Sequence, residues 1–444
     1  MALPDLIEIV PPDRPVRAEV TVPGSKSITN RALILAALAE GETKLTGALW
    51  SEDTQVMVDC LQELGFMINV AADRQEPCNR VITVYGKGGL VPPGGTEDRP
   101  MELFVGNAGT AARFLAALVC LGKGVYRLHG VPRMHERPQA ALFQALRELG
   151  YRVISPNDQL PALIFGAGPR RTKCQVSLEE SSQFASALLL GAGAGEWQVE
   201  VTGQNAEESP YVAMTAKLIQ AFPKAGGTFQ IELDASSASY FWGAGFLLGA
   251  SGGSPAGGPP AAFSEGGATG SRSSVVVRAQ PDSDWQVDTA FPRFLPLPAA
   301  VSRQTDLGDS IMTAIVLAPF SDHPVRFTDL GRLRVQECER VAALRTELPR
   351  CGARVVEEGD SLTVFPSRLH GAEIETYGDH RMAMCFAILG LKVVGIRLKN
   401  PSCAKKTFPD YFQKLAAPPP AGLGVSILDG TNGRVLSGAE LFAE

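Results

Sequence analysis

The stretch VPGSKSITNRALILAALAEG, residues 22–41, sets the problem for the fold. Its body, ALILAALA, is apolar all round, so a helix here has no face to give to water and must lie inside the protein. Its front is the opposite. Gly24 and Ser25 allow a tight turn, and Lys26, Ser27 and Arg31 crowd the first turns, where free backbone N–H groups attract anions. The Walker A spacing G-x-x-x-x-G-K-[ST] does not fit. The design returns in LFVGNAGTAARFLAAL (103–118), where Asn107 to Thr110 form a polar glycine turn before an apolar helix carrying Arg113. It returns again in EESSQFASALLLGA (179–192), where Ser181, Ser182 and Gln183 precede the helix. One such start is ordinary capping. Three, each before a buried helix, favour a shared cleft.

Other candidate groups cluster at turns. PRMHERP (132–138) holds Arg133 and Arg137 in a proline-bounded loop, with two solvated arginines as the plain reading. DLGDSIMTAIVLAPF (306–320) puts Asp309 at a helix start. RLRVQECERVAAL (332–344) places Glu337 and Arg340 three apart on one helical face, which a surface ion pair would also explain. YGDHRMAMCFAILGL (377–391) sets Asp379, His380 and Arg381 before an apolar helix, and PSCAKKTFPDYF (401–412) adds Lys405 and Lys406. The histidines show no metal-binding spacing.

Helical apolar spacing recurs in TQVMVDCLQELGF (54–66), ALFQALRELGY (141–151), VAMTAKLIQAFPKAGG (212–227) and ERVAALRTELPRCGA (339–353), each closing on glycine and feeding a β-rich stretch. In the first half these ends fall roughly 75–85 residues apart, which suggests a repeated unit in an α/β or α+β protein. Residues 249–272 are rich in Gly, Ala, Pro and Ser and read as a flexible surface insertion. The segment after AAPPPAGLG (416–424) reads as a tail with a hairpin at DGTNG.

A net charge of −6 disfavours nucleic acid as a partner, while leaving room for a small anionic substrate in a cleft lined by a few cations. No stretch reaches the roughly 18 consecutive apolar residues of a membrane span, and the N-terminus does not read as a secretory signal. The scattered cysteines, without a C-x-x-C pair, read as reduced thiols of a cytoplasmic protein.

Taken together and in order, PGSKSITNRAL, LFVGNAGTAAR, PRMHERP, SSQFASALLL, SPYVAMT, DASSASYF, RVQECER, DHRMAMCF and KTFPDYF resemble the 5-enolpyruvylshikimate-3-phosphate synthase (3-phosphoshikimate 1-carboxyvinyltransferase) family, from about residue 8 to residue 415. The resemblance implies two similar domains, each of three βαβαββ-like repeats with buried helices (an inside-out α/β barrel), and an active site in the interdomain cleft. It sets one domain at 24–235 and the other at 1–23 plus 236–416, with 417–444 as a tail. It implies transfer of the enolpyruvyl group of phosphoenolpyruvate to the 5-hydroxyl of shikimate 3-phosphate, with release of phosphate. It also implies no metal or organic cofactor and a glyphosate target; a monomer is the default expectation. By the same resemblance Lys26, Arg133, Arg340, Arg381 and Lys406 form the phosphoenolpyruvate clamp, and Asn107 and Gly109 let the backbone approach that ligand's phosphate. Glu337 and Asp309 handle protons, with Lys26 counted among the catalytic groups. Ser27, Arg31, Ser181, Ser182, Gln183 and Tyr211, with Asp309 and Gln336, form the shikimate 3-phosphate side.

Three positions depart from the family pattern, all on the acceptor side. Gln336 stands where lysine usually precedes the glutamate, Arg332 stands for an asparagine, and Glu208 for a serine. A unit charge at about 4 Å is worth on the order of 4 kcal/mol at a surface-like dielectric, roughly a thousandfold in affinity. The segment between DASSASYF and DLGDS also looks short of a full repeat. An alternative is therefore a paralogue acting on another cyclohexene alcohol, such as unphosphorylated shikimate. A transferase acting on UDP-N-acetylglucosamine is disfavoured because HGVPRMHERP lacks the loop cysteine of that family. A catalytically dead binding protein is disfavoured by the retained clamp and carboxylates.

Overall fold

The computed structural model describes residues 3–178, 181–203, 209–249, 273–278 and 283–443. The expected insertion at 249–272, apart from Gly249, and the departure at Glu208 lie outside the described residues.

The chain divides into two compact units, Pro23–Asp234 with Ser283–Gln286, and Met1–Val22 with Ala235–Asp282 and Val287–Glu444. In the first unit the helices Lys26–Leu38, Gly109–Leu118 and Ser182–Gly195 bury nearly all of their apolar side chains. In the second, Ala235–Gly249, Ile311–Leu317 and His380–Leu389 do the same. These are the segments whose sequence is apolar all round, and burial is the state that such a pattern demands.

Sheets enclose the helices by one repeated rule. The first unit has the orders Gly227–Gln230, Glu40–Leu49, Asn79–Lys87, Met67–Ala72 and Met101–Phe104, Lys123–His129, Ala162–Ala167, Arg152–Ile154. The second has Ala300–Ser302, Val325–Thr328, Ser361–Phe365, Arg354–Glu358 and Ala372–Ile374, Ile396–Lys399, Leu6–Val10, Ser426–Asp429. In all four sheets the first pair is parallel and the next two are antiparallel.

Each unit also carries a remnant of two parallel strands, Thr172–Ser177 with Trp197–Thr202 in the first and Arg17–Val20 with Ser274–Val277 in the second. The sequence suggests one shortened repeat. The structure has one in each unit, with no third or fourth strand in either sheet among the described residues. The tail expectation is also corrected. Ser426–Asp429 pairs antiparallel with Leu6–Val10 as the outer strand of a four-stranded sheet, so 417–444 belongs to the second unit.

Chain entry and exit of the first unit run side by side. Ser25 N–H donates to Glu232 O at 2.7 Å and Asp234 N–H to Pro23 O at 2.9 Å. A Cβ on Gly24 would lie 1.9 Å from Gly47 O, which explains glycine before the Lys26 helix as a matter of backbone contact. All eight cysteines are free.

Candidate active site

In the second unit the starts of two buried helices bring carboxylates and guanidiniums together. Asp309 precedes the Ile311–Leu317 helix, and its Oδ2 lies 2.9 Å from Arg381 Nη2 in the first turn of His380–Leu389. Its Oδ1 lies 3.4 Å from Arg303 Nη2 and 3.9 Å from Arg340 Nη1. Burial pushes the Asp309 carboxyl up, but the guanidiniums of Arg381, Arg340 and Arg303 outweigh burial and hold it well below the usual carboxylate range.

Arg340 joins the carboxylates. Its side chain is 1% exposed; Nε lies 2.7 Å from Asp379 Oδ2 and Nη2 lies 2.9 Å from Glu337 Oε2. Its Nη1 donates to the Gln336 amide oxygen. Burial alone would lower its pKa, yet Asp379, Glu337 and Asp309 together raise it, so Arg340 is a permanent cation. Lys406 Nζ reaches the other Glu337 oxygen at 3.3 Å. Asp379 caps the His380–Leu389 helix by accepting from Arg381 N–H at 2.8 Å. A surface ion pair is the plain alternative for Glu337 and Arg340, but both side chains are largely shielded and belong to this network.

Behind Asp309, the buried Asp288 accepts from Gly308 N–H at 2.7 Å, from Ser310 Oγ at 2.6 Å, and from Ser236 Oγ. Burial raises its pKa, against hydrogen bonds from Ser236 and Ser310. It pins the turn that carries Asp309.

In the first unit the helix starts carry Arg31 and Arg113 on hydroxyl, amide and carbonyl oxygens, and Lys26 on a carboxylate. Arg31, in the second turn of Lys26–Leu38, donates from Nε to Thr215 Oγ1 at 2.7 Å, from Nη2 to Ser186 Oγ at 3.0 Å and from Nη1 to Ser27 O at 2.9 Å. Thr215 in turn donates to Tyr211 O at 2.9 Å. Lys26 Nζ lies 3.0 Å from Asp53 Oδ2 at the start of the Glu52–Glu63 helix. Ser181 caps Ser182–Gly195 by accepting from Gln183 N–H at 3.2 Å. Arg113 donates to Gln183 Oε1 at 3.4 Å and to Pro138 O at 2.8 Å.

At Gly109 the sequence reading needs correction. Arg133 lies on the Pro132–Glu136 helix, its side chain 45% exposed, 2.6 Å from Glu136 Oε2. The arginine at the Gly109–Leu118 helix start is Arg137, which donates to Asn107 O at 3.0 Å. A Cβ on Gly109 would sit 2.3 Å from Arg113 Nη1 and 2.6 Å from Arg137 Nη2. The other candidates fall into the two clusters: Lys26, Ser27, Arg31, Asn107, Gly109, Ser181, Ser182, Gln183 and Tyr211 in the first unit, and Asp309, Gln336, Glu337, Arg340, Arg381 and Lys406 in the second. Asp53, Asp288 and Arg303 were not singled out from sequence. For Asp53 and Asp288 only residue type and a position at a helix start could have flagged them, and for Arg303 only residue type.

A family model described as EPSP synthase (3-phosphoshikimate 1-carboxyvinyltransferase) matches residues 10–225 and 223–415. The 3-phosphoshikimate 1-carboxyvinyltransferase of Trichormus variabilis is 37% identical, over 92% of this chain and 98% of its own. That of Rhizobium leguminosarum bv. trifolii is 36% identical, over 95% and 98%. Among solved structures, an EPSP synthase from Acinetobacter baumannii shares the fold with TM-score 0.71 at 20% identity, covering 96% of this chain and all of that one. The enolpyruvyl transferase NikO from Streptomyces tendae shares it with TM-score 0.61 at 16% identity, covering 95% and 98%. Matches of this length, running over both units, place the chain in the EPSP synthase (3-phosphoshikimate 1-carboxyvinyltransferase) family.

Proposed function

We propose that this protein transfers the enolpyruvyl group of phosphoenolpyruvate to the 5-hydroxyl of shikimate 3-phosphate and releases phosphate. The observation that carries the reading is the Asp309–Arg381–Arg340–Glu337–Lys406 network. The reaction adds the hydroxyl oxygen to C2 of the donor while a proton goes to its methylene carbon. The tetrahedral adduct then loses phosphate and a methyl proton, restoring the enol ether. One group must therefore give and retake a proton at carbon, and another must receive the hydroxyl proton.

Asp309, kept a carboxylate by its guanidiniums, is assigned the hydroxyl. Glu337, with one oxygen on Arg340 and the other on Lys406, is left to carry the proton to and from carbon. Arg340, Arg381 and Lys406 suit the donor's carboxylate and phosphate, because guanidinium binds either in a bidentate manner. Lys26, Asn107 and Gly109 join the donor side, and Arg137 takes the place first given to Arg133. Ser27, Arg31, Ser181, Ser182, Gln183, Tyr211 and Gln336 are assigned to the acceptor. The reading carries with it a cytoplasmic monomer. Among the described residues no helix is long and apolar enough to cross a membrane.

One observation favours a second acceptor: the residue on Arg340 Nη1 is the neutral amide of Gln336, where the family resemblance has lysine. Phosphate release from phosphoenolpyruvate, compared with shikimate 3-phosphate and plain shikimate, decides between the two. Release only with the phosphorylated acceptor supports the synthase. Release only with plain shikimate transfers the assignment to the paralogue, and release with neither removes both.

A further inference from the structure

Arg303 belongs to neither the resemblance nor the sequence motifs, yet its guanidinium is 2% exposed and faces Asp309. A buried guanidinium is costly to desolvate and persists where it is paired. Its position is fixed by backbone. Arg303 N–H donates to Thr328 O at 3.1 Å, Asp306 and Leu307 N–H donate to Ser302 O at 3.1 and 3.2 Å, and Ser302 N–H donates to Asp306 Oδ2 at 2.8 Å. Ser302 Oγ is anchored on Asp329 Oδ2 at 2.6 Å. The far end of the same passage, Gly308 to Ser310, is held by Asp288. A loop tied at both ends aims Arg303 at one carboxylate.

That carboxylate already has Arg381 and Arg340. Among the described residues Asp309, Glu337 and Asp379 meet Arg303, Arg340, Arg381 and Lys406, with the buried Asp288 behind Asp309, so Arg303 adds a positive charge to a network in which the other cations do not outnumber the carboxylates. Gln336 sits on Arg340 Nη1, the same nitrogen that approaches Asp309 Oδ1, so positions 336 and 303 flank one Arg340–Asp309 contact. A lysine at 336 would bring to that contact a positive charge of the kind that Arg303 brings from the other side.

We propose that Arg303 is a positioning residue of this site: it orients Asp309 and supplies, from the far side of that carboxylate, the positive charge that Gln336 does not, so that the network still favours an anionic acceptor. The inference rests on the enolpyruvyl transfer reading and adds a residue to it.

The test compares wild type, Arg303→Met, Arg303→Lys, Gln336→Lys and the Arg303→Met/Gln336→Lys double variant. Steady-state phosphate release is read with phosphoenolpyruvate and shikimate 3-phosphate, and calorimetric binding of shikimate 3-phosphate is read without turnover. Arg303→Met should lower kcat/KM for the acceptor by about 10–100-fold, the range for losing a hydrogen bond to a charged group, with a smaller change in KM for phosphoenolpyruvate. Arg303→Lys should retain most of the activity. Gln336→Lys should raise the Arg303→Met enzyme at least about tenfold, and far more than it raises wild type.

A merely structural arginine would not be rescued by a charge placed at 336. Folded Arg303→Met within about threefold of wild type, or no rescue, overturns the proposal. If Arg303→Met does not fold, Arg303→Gln takes its place under the same criteria. A wild type that binds shikimate 3-phosphate without releasing phosphate removes the functional reading. Weakened binding in Arg303→Met, restored by Gln336→Lys, would still support the inference in that case.

Discussion

The two units use one structural device, a set of buried helices with polar starts, and dress it differently. In the second unit the arginines are tied to carboxylates: Arg340 to Asp379 and Glu337, Arg381 and Arg303 to Asp309. In the first, Arg31, Arg113 and Arg137 hydrogen-bond hydroxyl, amide and carbonyl oxygens. An arginine on a neutral oxygen keeps its full charge for a ligand. Carboxylates among arginines are held in defined protonation states and can trade protons. The first dressing suits anion binding; the second sets carboxylates that suit proton transfer among cations that also suit the donor, so the proposed chemical step falls to the second half.

The largest expected effect tests the second half. Glu337→Gln keeps the shape and removes the exchangeable proton, so kcat should fall by about 10²–10⁴-fold, the usual contribution of a positioned acid or base. Binding of shikimate 3-phosphate should change little. Phosphate release measures the first and calorimetry the second; undiminished kcat would falsify the division of labour. Next comes the first half. Arg137→Ala should raise KM for phosphoenolpyruvate by about 10–100-fold through loss of a charged hydrogen-bond donor, with kcat less affected. If kcat falls and KM holds, the first unit takes part in the chemical step and the comparison fails.

A smaller effect is expected at Gly109. An alanine Cβ would press on the Arg113 and Arg137 guanidiniums. Both are ends of flexible side chains and can shift, so Gly109→Ala should fold normally and raise KM for phosphoenolpyruvate by about 3–10-fold. An unchanged KM in that variant would mean that these two arginines do not meet the donor.

What the sequence made legible was local. Helices apolar all round, polar helix starts and the glycine at Gly109 can be read from a few consecutive residues. What it hid depends on contacts that spacing does not encode. The strand Ser426–Asp429 pairs with Leu6–Val10 across almost the whole chain, so its register had no local signal. Asp288 lies in a 3-10 segment and meets Gly308 and Ser310 through an irregular passage, and Arg303 lies within that passage, with neither helical nor strand periodicity to aim its side chain. The shortened repeat of the first unit was missed because its helix Ser209–Ala221 and strand Gly227–Gln230 are intact, and the strand simply joins another sheet.

Arg133 and Arg137 test the same limit at the smallest scale. They share one loop, and the sequence gives no reason to prefer either except resemblance. Geometry separates them. Pro132 starts a short helix whose i,i+3 spacing turns Arg133 toward Glu136 and solvent, while the extended residue Arg137 that closes the helix points back to Asn107. An exposed pair of this kind contributes about 0.2–1 kcal/mol at most. Arg133→Ala should therefore leave kcat and both KM values within about twofold of wild type, against the tenfold or greater loss expected for Arg137→Ala. The two variants measured side by side give a ratio, which cancels differences in enzyme preparation. A loss in Arg133→Ala equal to that in Arg137→Ala would mean that the loop rearranges when ligand arrives and brings both arginines in. The first unit would then be a binding surface completed by its anion, in contrast to the second, whose ion pairs are already closed.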